Sequence, residues 1–178
     1  MTDRATVSAT VEAYLRESGH DWEPGARSDE LVVSLPGEKK LKTVASLVVS
    51  DSGVSVSAFV VRNPDENHDE VYRFLLRRNL RLPGLAYAVD KAGDVYVTGR
   101  LPAAGVDAAS LDQLLGVVLV AADEPFNELL VMGFLTSMRK EWQWRVSRGE
   151  SLRNLEAFRS VLARPGDPGP ATGGDPPG

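Results

Sequence analysis

Apolar residues recur at two different periods in the first part of the chain. From Ala5 to Ser18 they follow the helical period, and Gly19 stands where a left-handed helix C-cap is expected. After a loop through Trp22 and Pro24 the period becomes two, which is typical of strands with one buried face. This alternation predicts three strands, over residues 31–35, 41–49 and 54–60.

The same change of period occurs again further along the chain. The turn at 63–66 contains an acidic pair suited to the first turn of a helix, and the helix predicted after it ends near Asn79. Two further alternating runs, over 85–89 and 95–101, flank the turn 90–94 and predict a hairpin. The sequence therefore predicts five strands.

A long helical stripe follows these strands. From Ser110 onward apolar residues lie on one side of a predicted helix, and the polar residues Asp112 and Gln113 favour this over a buried strand. Pro125 either starts a new helix or kinks one long helix that continues to about Val146. A short last helix is predicted over residues 151–163.

The resulting order is helix, three strands, helix, two strands, long helix and short C-terminal helix. Antiparallel hairpins with segregated helices define an α+β fold, and we expect a five-stranded antiparallel sheet. No shift in composition divides residues 1–163, which we predict to be a single domain. Residues 164–178 contain five Pro and five Gly, and they are predicted to be a disordered tail because little in them could join a core.

Composition and charge narrow the classes of function. The chain is 43% apolar and carries 20 Lys and Arg against 25 Asp and Glu, so its net charge of −5 gives the whole molecule no attraction to nucleic acid or anionic membranes. It has no cysteine, which excludes disulfides, thiolate nucleophiles and cysteine-ligated metals. The N-terminus lacks a secretory signal pattern, and the longest apolar run, residues 114–122, is too short to span a bilayer. We expect a cytoplasmic protein without a membrane segment.

No catalytic constellation is found in the sequence. The run 149–151 begins like a nucleophile elbow but follows a helix and lacks the second glycine. We interpret His68 as a solvated side chain near a helix start rather than a metal ligand. Asp123 and Glu124 point about 100° apart on a helix, so capping of the helix that follows is favoured over a shared proton. We expect no enzyme, no cofactor and no metal site.

The most densely basic segment runs from Arg139 to Arg159, with six basic and three acidic residues. Trp142 continues an apolar stripe and is predicted to lie in the core, whereas Trp144 is turned by about 200° and has polar neighbours. Arginines and a tryptophan on a polar surface suit binding, and six residues are the candidates for contact with a partner: Arg139, Lys140, Trp144, Arg145, Arg148 and Arg153.

An uncovered Trp144 would leave a large apolar surface in water, worth about 4–6 kcal/mol if fully buried. The predicted last helix, through Phe158, is the favoured cover because it is close in sequence. A second copy of the chain and a protein partner are the alternatives. A fourth is base stacking on single-stranded nucleic acid, which the modest local charge of +3 disfavours.

Several short motifs carry a resemblance to a known family. They are Leu114-Leu115, Ala122-Asp123-Glu124 with Phe126, Gly133-Phe134, Arg139-Lys140-Glu141-Trp142 with Trp144-Arg145, and Gly149-Glu150-Ser151 with Arg153-Asn154-Leu155. On these motifs the chain resembles, from about Thr6 to Phe158, the actinobacterial branch of the YbjN family of bacterial sensory transduction regulators.

The resemblance implies a fold like that of type III secretion chaperones, often paired as a homodimer, and a non-catalytic role. We therefore expect a non-enzymatic protein-binding module, either a chaperone-like adaptor or a regulator of signalling, with a protein partner and a homodimeric state. The alternative is an RNA-binding accessory protein that uses the Arg/Trp segment 139–153.

Overall fold

One antiparallel sheet organises the part of the chain that the computed structural model describes, residues 3–169. Its strands are β1 (Asp21–Pro24), β2 (Glu30–Pro36), β3 (Lys42–Ser50), β4 (Gly53–Val61), β5 (Leu85–Val89) and β6 (Val95–Pro102). They pair in the order β1-β2-β3-β4-β6-β5. The helices are α1 (Arg4–Ser18), α2 (His68–Asn79), α3 (Ala108–Asp123), α4 (Phe126–Arg148) and α5 (Arg159–Leu162), with 3-10 helices at Ala103–Gly105 and Arg153–Phe158.

The α+β class is confirmed, but the prediction of five strands is wrong because the sheet has six. The additional strand is β1, which lies in the segment predicted to be a loop. It is only four residues long and pairs with β2 at the edge of the sheet, with Trp22 opposite Val33. β1 is held by backbone hydrogen bonds, and its side chains show no alternation of apolar and polar residues. Its edge position also tolerates Pro24, since a proline lacks the N–H that an inner strand would need.

The two hairpins lie where the alternating pattern predicts them. At the start of β4, directly after the turn, Gly53 has a φ of +126°, and a Cβ at this position would collide with the Leu101 carbonyl oxygen. Gly19 ends α1 with a φ of +73°, as expected for a left-handed cap. These glycines therefore fix the places where the chain reverses.

The long helix of the prediction consists of two helices. α3 ends at Asp123 and α4 starts at Phe126, with the Pro125 carbonyl accepting the first hydrogen bond of α4 from the Leu129 N–H at 2.9 Å. Proline has no N–H to continue α3, so the new-helix alternative is the correct one. The predicted C-terminal helix over 151–163 is also replaced, by the 3-10 helix and the single turn α5.

The two faces of the sheet differ in their surroundings. Alternate residues of the central strands, such as Leu47 and Val56, are buried against α1 and α3. On the opposite face, Ser46 and Ser57 are half-buried, and Phe59 is 38% exposed. One side of the sheet thus carries the core, and the other reaches solvent, as the alternation of serine and valine along β4 predicts.

The last described residues return to α4. The Asp167 carboxylate accepts hydrogen bonds from the Trp142 indole at 2.6 Å and from the Arg164 N–H at 2.8 Å. The Arg159 guanidinium donates to the Pro168 carbonyl at 2.6 Å. The predicted disorder of 164–178 and the single domain over 1–163 stay predictions, and residues 170–178 lie outside the described part of the chain.

Candidate partner-binding surface on helix α4

The C-terminal half of α4 has one side in the core. Trp142 is 0% exposed, which confirms its predicted place, and the Arg159 guanidinium lies 5.0 Å from the centre of its ring. The indole N–H donates a hydrogen bond to the Asp167 carboxylate, so both the polar N–H and the apolar ring of Trp142 are enclosed by the protein. This side of α4 is therefore an anchor for the C-terminal segment.

The other side of the same turn is open. Trp144 is 47% exposed, and the Arg148 guanidinium stacks over its ring at 5.2 Å. The predicted cover of Trp144 by the last helix is wrong. The physical reason lies at Gly149, where a left-handed cap with a φ of +65° turns the chain, so that the segment after it packs beside Trp142.

The six predicted partner-binding residues do not form one surface. Lys140, Trp144 and Arg148 are four residues apart and share one side of α4, and all three are exposed. We call these three residues the Trp144 stripe. Arg139 lies on a flank of the helix, beside Gln143 and the C-terminal segment.

The remaining two candidates are placed elsewhere. The Arg145 guanidinium donates to the Glu141 carboxylate at 2.7 Å and to the Ser151 carbonyl at 2.9 Å, so it braces the turn at the end of α4. Arg153 lies in a groove with Lys39 and Lys42, away from the Trp144 stripe.

The loop before α2 fixes the middle of α4. The Asp65 carboxylate accepts a hydrogen bond from the Ser137 hydroxyl at 2.7 Å, and Glu66 accepts one from the Thr136 N–H at 2.7 Å. Hydrogen bonds from Arg62 and Ser137 lower the pKa of Asp65 to about 2. The prediction that this acidic pair lies in the first turn of a helix is wrong, because α2 starts only at His68.

Asp123 and Glu124 have structural roles that differ from the predicted one. The Asp123 carboxylate accepts hydrogen bonds from the backbone N–H groups of Lys39 and Lys40 at 2.9 and 2.8 Å, so it holds the β2–β3 turn rather than capping α4. Burial opposes ionisation, but these N–H groups outweigh it and lower the pKa of Asp123. Glu124 pairs with Arg78 of α2.

One feature without any signal in the local sequence pattern is the groove that holds Arg153. It brings together the β2–β3 turn, the end of β4, the start of α4 and the 3-10 helix, which lie far apart along the chain. Lys40 lies at its centre. Within residues 3–169, no helix combines the length and the apolar character needed to cross a membrane.

Comparison with known proteins identifies a family and two relatives of the chain. The family model YbjN, described as "Putative bacterial sensory transduction regulator", matches residues 8–130. The chain is 50% identical over 155 residues to the uncharacterized protein Rv0487 of Mycobacterium tuberculosis, covering 87% of this chain and 84% of that protein. It is 53% identical over 137 residues to the uncharacterized protein ML2442 of Mycobacterium leprae, covering 77% and 74% respectively. The chain therefore belongs to the YbjN family.

Proposed function

We propose that this protein is a non-enzymatic protein-binding module, a chaperone-like adaptor or regulator of signalling, that contacts its partner through the Trp144 stripe. The observation that carries this proposal is the exposed indole of Trp144 under the Arg148 guanidinium, on a helix whose other tryptophan is fully buried. Tryptophan and arginine are the residues most enriched at interface hot spots. The match to a family described by sensory transduction supports the same role.

The chemistry of the stripe indicates what kind of partner it fits. Lys140 and Arg148 place two positive charges one turn to either side of Trp144. A complementary surface would have an apolar pocket for the indole and acidic side chains around it. A helix that lays one such stripe into a groove is a common recognition mode. The partner is therefore an acidic protein with an apolar cleft.

The homodimer is part of this proposal and is supported by the accessible face of the sheet. Val44 on that face is 44% exposed, and the half-buried side chains of Ser34 and Ser46 lie beside it. Light scattering at high protein concentration should show twice the 19.2 kDa of one chain. A particle of one chain's mass would contradict the homodimer without affecting the Trp144 stripe.

The cytoplasmic location of the protein stays a prediction.

RNA binding through residues 139–153 has weaker support. Stacking on single-stranded nucleic acid needs aromatic rings along a continuous basic surface. Here Trp142 is buried, Arg145 is engaged by Glu141 and Ser151, and Arg153 faces another groove. The basic residues of the segment are thus divided among separate surfaces.

Photo-crosslinking in the native host tests the proposal. A benzophenone amino acid replaces Trp144 in the full chain, and a matched chain carries it at Leu76, an exposed position on α2. We expect a discrete polypeptide adduct from position 144, lost when Lys140→Glu and Arg148→Glu are added, because charge reversal repels an acidic partner.

Three outcomes would contradict the proposal. Absence of any adduct from position 144 would remove the binding surface. The same adducts from positions 144 and 76 would show contact without specificity. An adduct that ribonuclease removes would favour the RNA-binding alternative.

A further inference from the structure

The groove around Lys40 consists of two connected cavities. One, of about 460 Å³, lies between the end of β4 and α4. The other, of about 950 Å³, lies between the β2–β3 turn and the 3-10 helix at Arg153–Phe158. Lys40, Phe126 and Leu130 line both, so the two cavities meet at these residues. We call the first the apolar lobe and the second the cationic lobe.

The apolar lobe is lined mainly by hydrocarbon and aromatic side chains. One wall of this lobe comes from α4 and consists of Phe126, Leu130 and Phe134. The rest of its apolar lining includes Phe59 and Leu155. Its volume lies within the range of about 300–1,000 Å³ that is typical of small-molecule sites. Of its charged side chains, Arg62 is already paired with Asp65 and Glu141 with Arg145.

The cationic lobe has an excess of positive charge. Its lining contains four cationic side chains and one carboxylate. The cations are Lys39, Lys40, Lys42 and Arg153, and the carboxylate is that of Glu38. Lys39 donates to the Glu124 carbonyl at 2.7 Å. Within residues 3–169 the side chains of Lys42 and Arg153 form no ion pair, although the molecule as a whole is acidic.

Lys40 holds an ammonium group at the junction of the two lobes. It donates to the carbonyls of Phe59 and Val60 at the end of β4, and no carboxylate of the described residues forms an ion pair with it. Two carbonyls leave one of the three ammonium hydrogens for another acceptor. Burial lowers the pKa of Lys40 to about 8, and Asp123 offsets only part of that effect.

We propose that this groove binds an amphipathic anion, with an apolar chain in the apolar lobe and a carboxylate or phosphate headgroup held by Lys40, Lys42 and Arg153. An anion at the junction would accept the remaining hydrogen of Lys40 and supply the negative charge that the cationic lobe lacks. The apolar chain would bury the side chains of Phe126 and Leu130, which are partly exposed in the groove. The site is separate from the Trp144 stripe, since neither Trp144 nor Arg148 lines it.

Calorimetric titration of the full chain at low ionic strength tests this site, with decanoate, decyl phosphate and uncharged decanol as probes, each below its micelle concentration. We expect saturable binding of one decanoate or decyl phosphate per chain, about tenfold tighter than decanol, because the charged headgroup adds hydrogen bonds to cations. The stronger of the two anions identifies the headgroup.

Substitutions at exposed residues allow the site to be tested without disturbing the fold. Lys42→Gln with Arg153→Gln should weaken binding of the preferred anion by about fivefold or more, since both residues are exposed in the cationic lobe and neither forms an ion pair within residues 3–169. The matched control is Lys91→Gln, in the turn between β5 and β6, and it should leave affinity unchanged. Lys40→Met should weaken binding further if circular dichroism shows it folded.

The proposal is overturned if decanol binds as tightly as the anions, which would indicate apolar partitioning alone. Equal affinity for inorganic phosphate and decyl phosphate would remove the role of the apolar lobe. Loss of affinity in Lys91→Gln would show an effect of bulk charge. Binding of an acidic apolar peptide to the groove without binding of either decyl anion would assign it to a polypeptide instead. None of these outcomes affects the crosslinking result expected at position 144.

Discussion

Two tryptophans that are two residues apart on α4 have opposite surroundings. Trp142 is fully buried, under Arg159 and bonded to Asp167, whereas Trp144 is 47% exposed under Arg148. Each indole has an arginine beside it, so the arginines do not explain the difference. It comes from the helical period, which places Trp142 on the apolar side with Met138, and from the chain after Gly149, which returns to that same side.

Within one helical turn, Trp142 thus contributes to the stability of the fold and Trp144 is available for recognition. The Trp142 side closes the core and holds the C-terminal segment. The Trp144 side leaves an aromatic ring and two cations in solvent, where a partner surface can contact them.

The largest difference is expected in stability. Trp142→Ala should lower the free energy of unfolding by about 3–5 kcal/mol, because it removes a large buried side chain and leaves a cavity. Trp144→Ala should change it by no more than about 0.5 kcal/mol, since the ring is half-exposed. Urea unfolding followed by far-ultraviolet circular dichroism measures both. Equal losses in the two variants would show that Trp144 also belongs to the core.

A smaller difference is expected in acid. Hydrogen bonds from the Arg164 N–H and the Trp142 indole lower the pKa of Asp167. A carboxylate whose pKa is lower in the folded than in the unfolded chain stabilises the fold above about pH 4, and this stabilisation is lost as the pH falls through the folded pKa.

Asp167→Asn should therefore lower the thermal midpoint at pH 7 by less than Trp142→Ala does, and the deficit relative to wild type should shrink towards pH 2. A variant with Trp22→Phe and Trp144→Phe allows the emission of Trp142 alone to be followed, and this emission should change in the same pH range. A constant deficit between pH 7 and pH 2 would mean that Asp167 does not bind Trp142 as a carboxylate.

The smallest expected effect concerns the stacked arginine on the open side. Arg148→Gln removes the cation over the Trp144 ring, and the free energy of unfolding should fall by about 0.5 kcal/mol or less, the lower end of the range for exposed cation–π pairs. Arg148→Lys should recover part of that loss. A loss as large as that of Trp142→Ala would mean that Arg148 supports the fold and not only the surface.

Local patterns were sufficient to predict five strands and the place of Trp142. Alternation located β2 to β6, because each of them buries residues at alternate positions over at least part of its length, and the helical period placed Trp142 in the core. The edge strand β1 could not be predicted in this way, because Trp22 alone of its four side chains is half-buried and the strand is paired through its backbone.

Features that depend on the path of the chain in space were beyond the sequence pattern. Nothing local at Gly149 indicates on which side of α4 the last segment packs, so Trp144 was predicted to be covered when it is open. The role of Asp123 in holding the β2–β3 turn depends on a contact with Lys39 and Lys40, more than 80 positions away. The groove around Lys40 could not be predicted either, because segments that lie far apart along the chain form it.

The most direct test of the division between the two tryptophans is quantitative co-purification from the native host. The wild-type chain should retain one polypeptide in a constant molar ratio. Trp144→Ala with Arg148→Glu should release it while the free energy of unfolding stays within about 1 kcal/mol of that of the wild type. Recovery of the wild-type chain alone, or undiminished retention of the polypeptide by this double variant, would contradict recognition through the open side of α4.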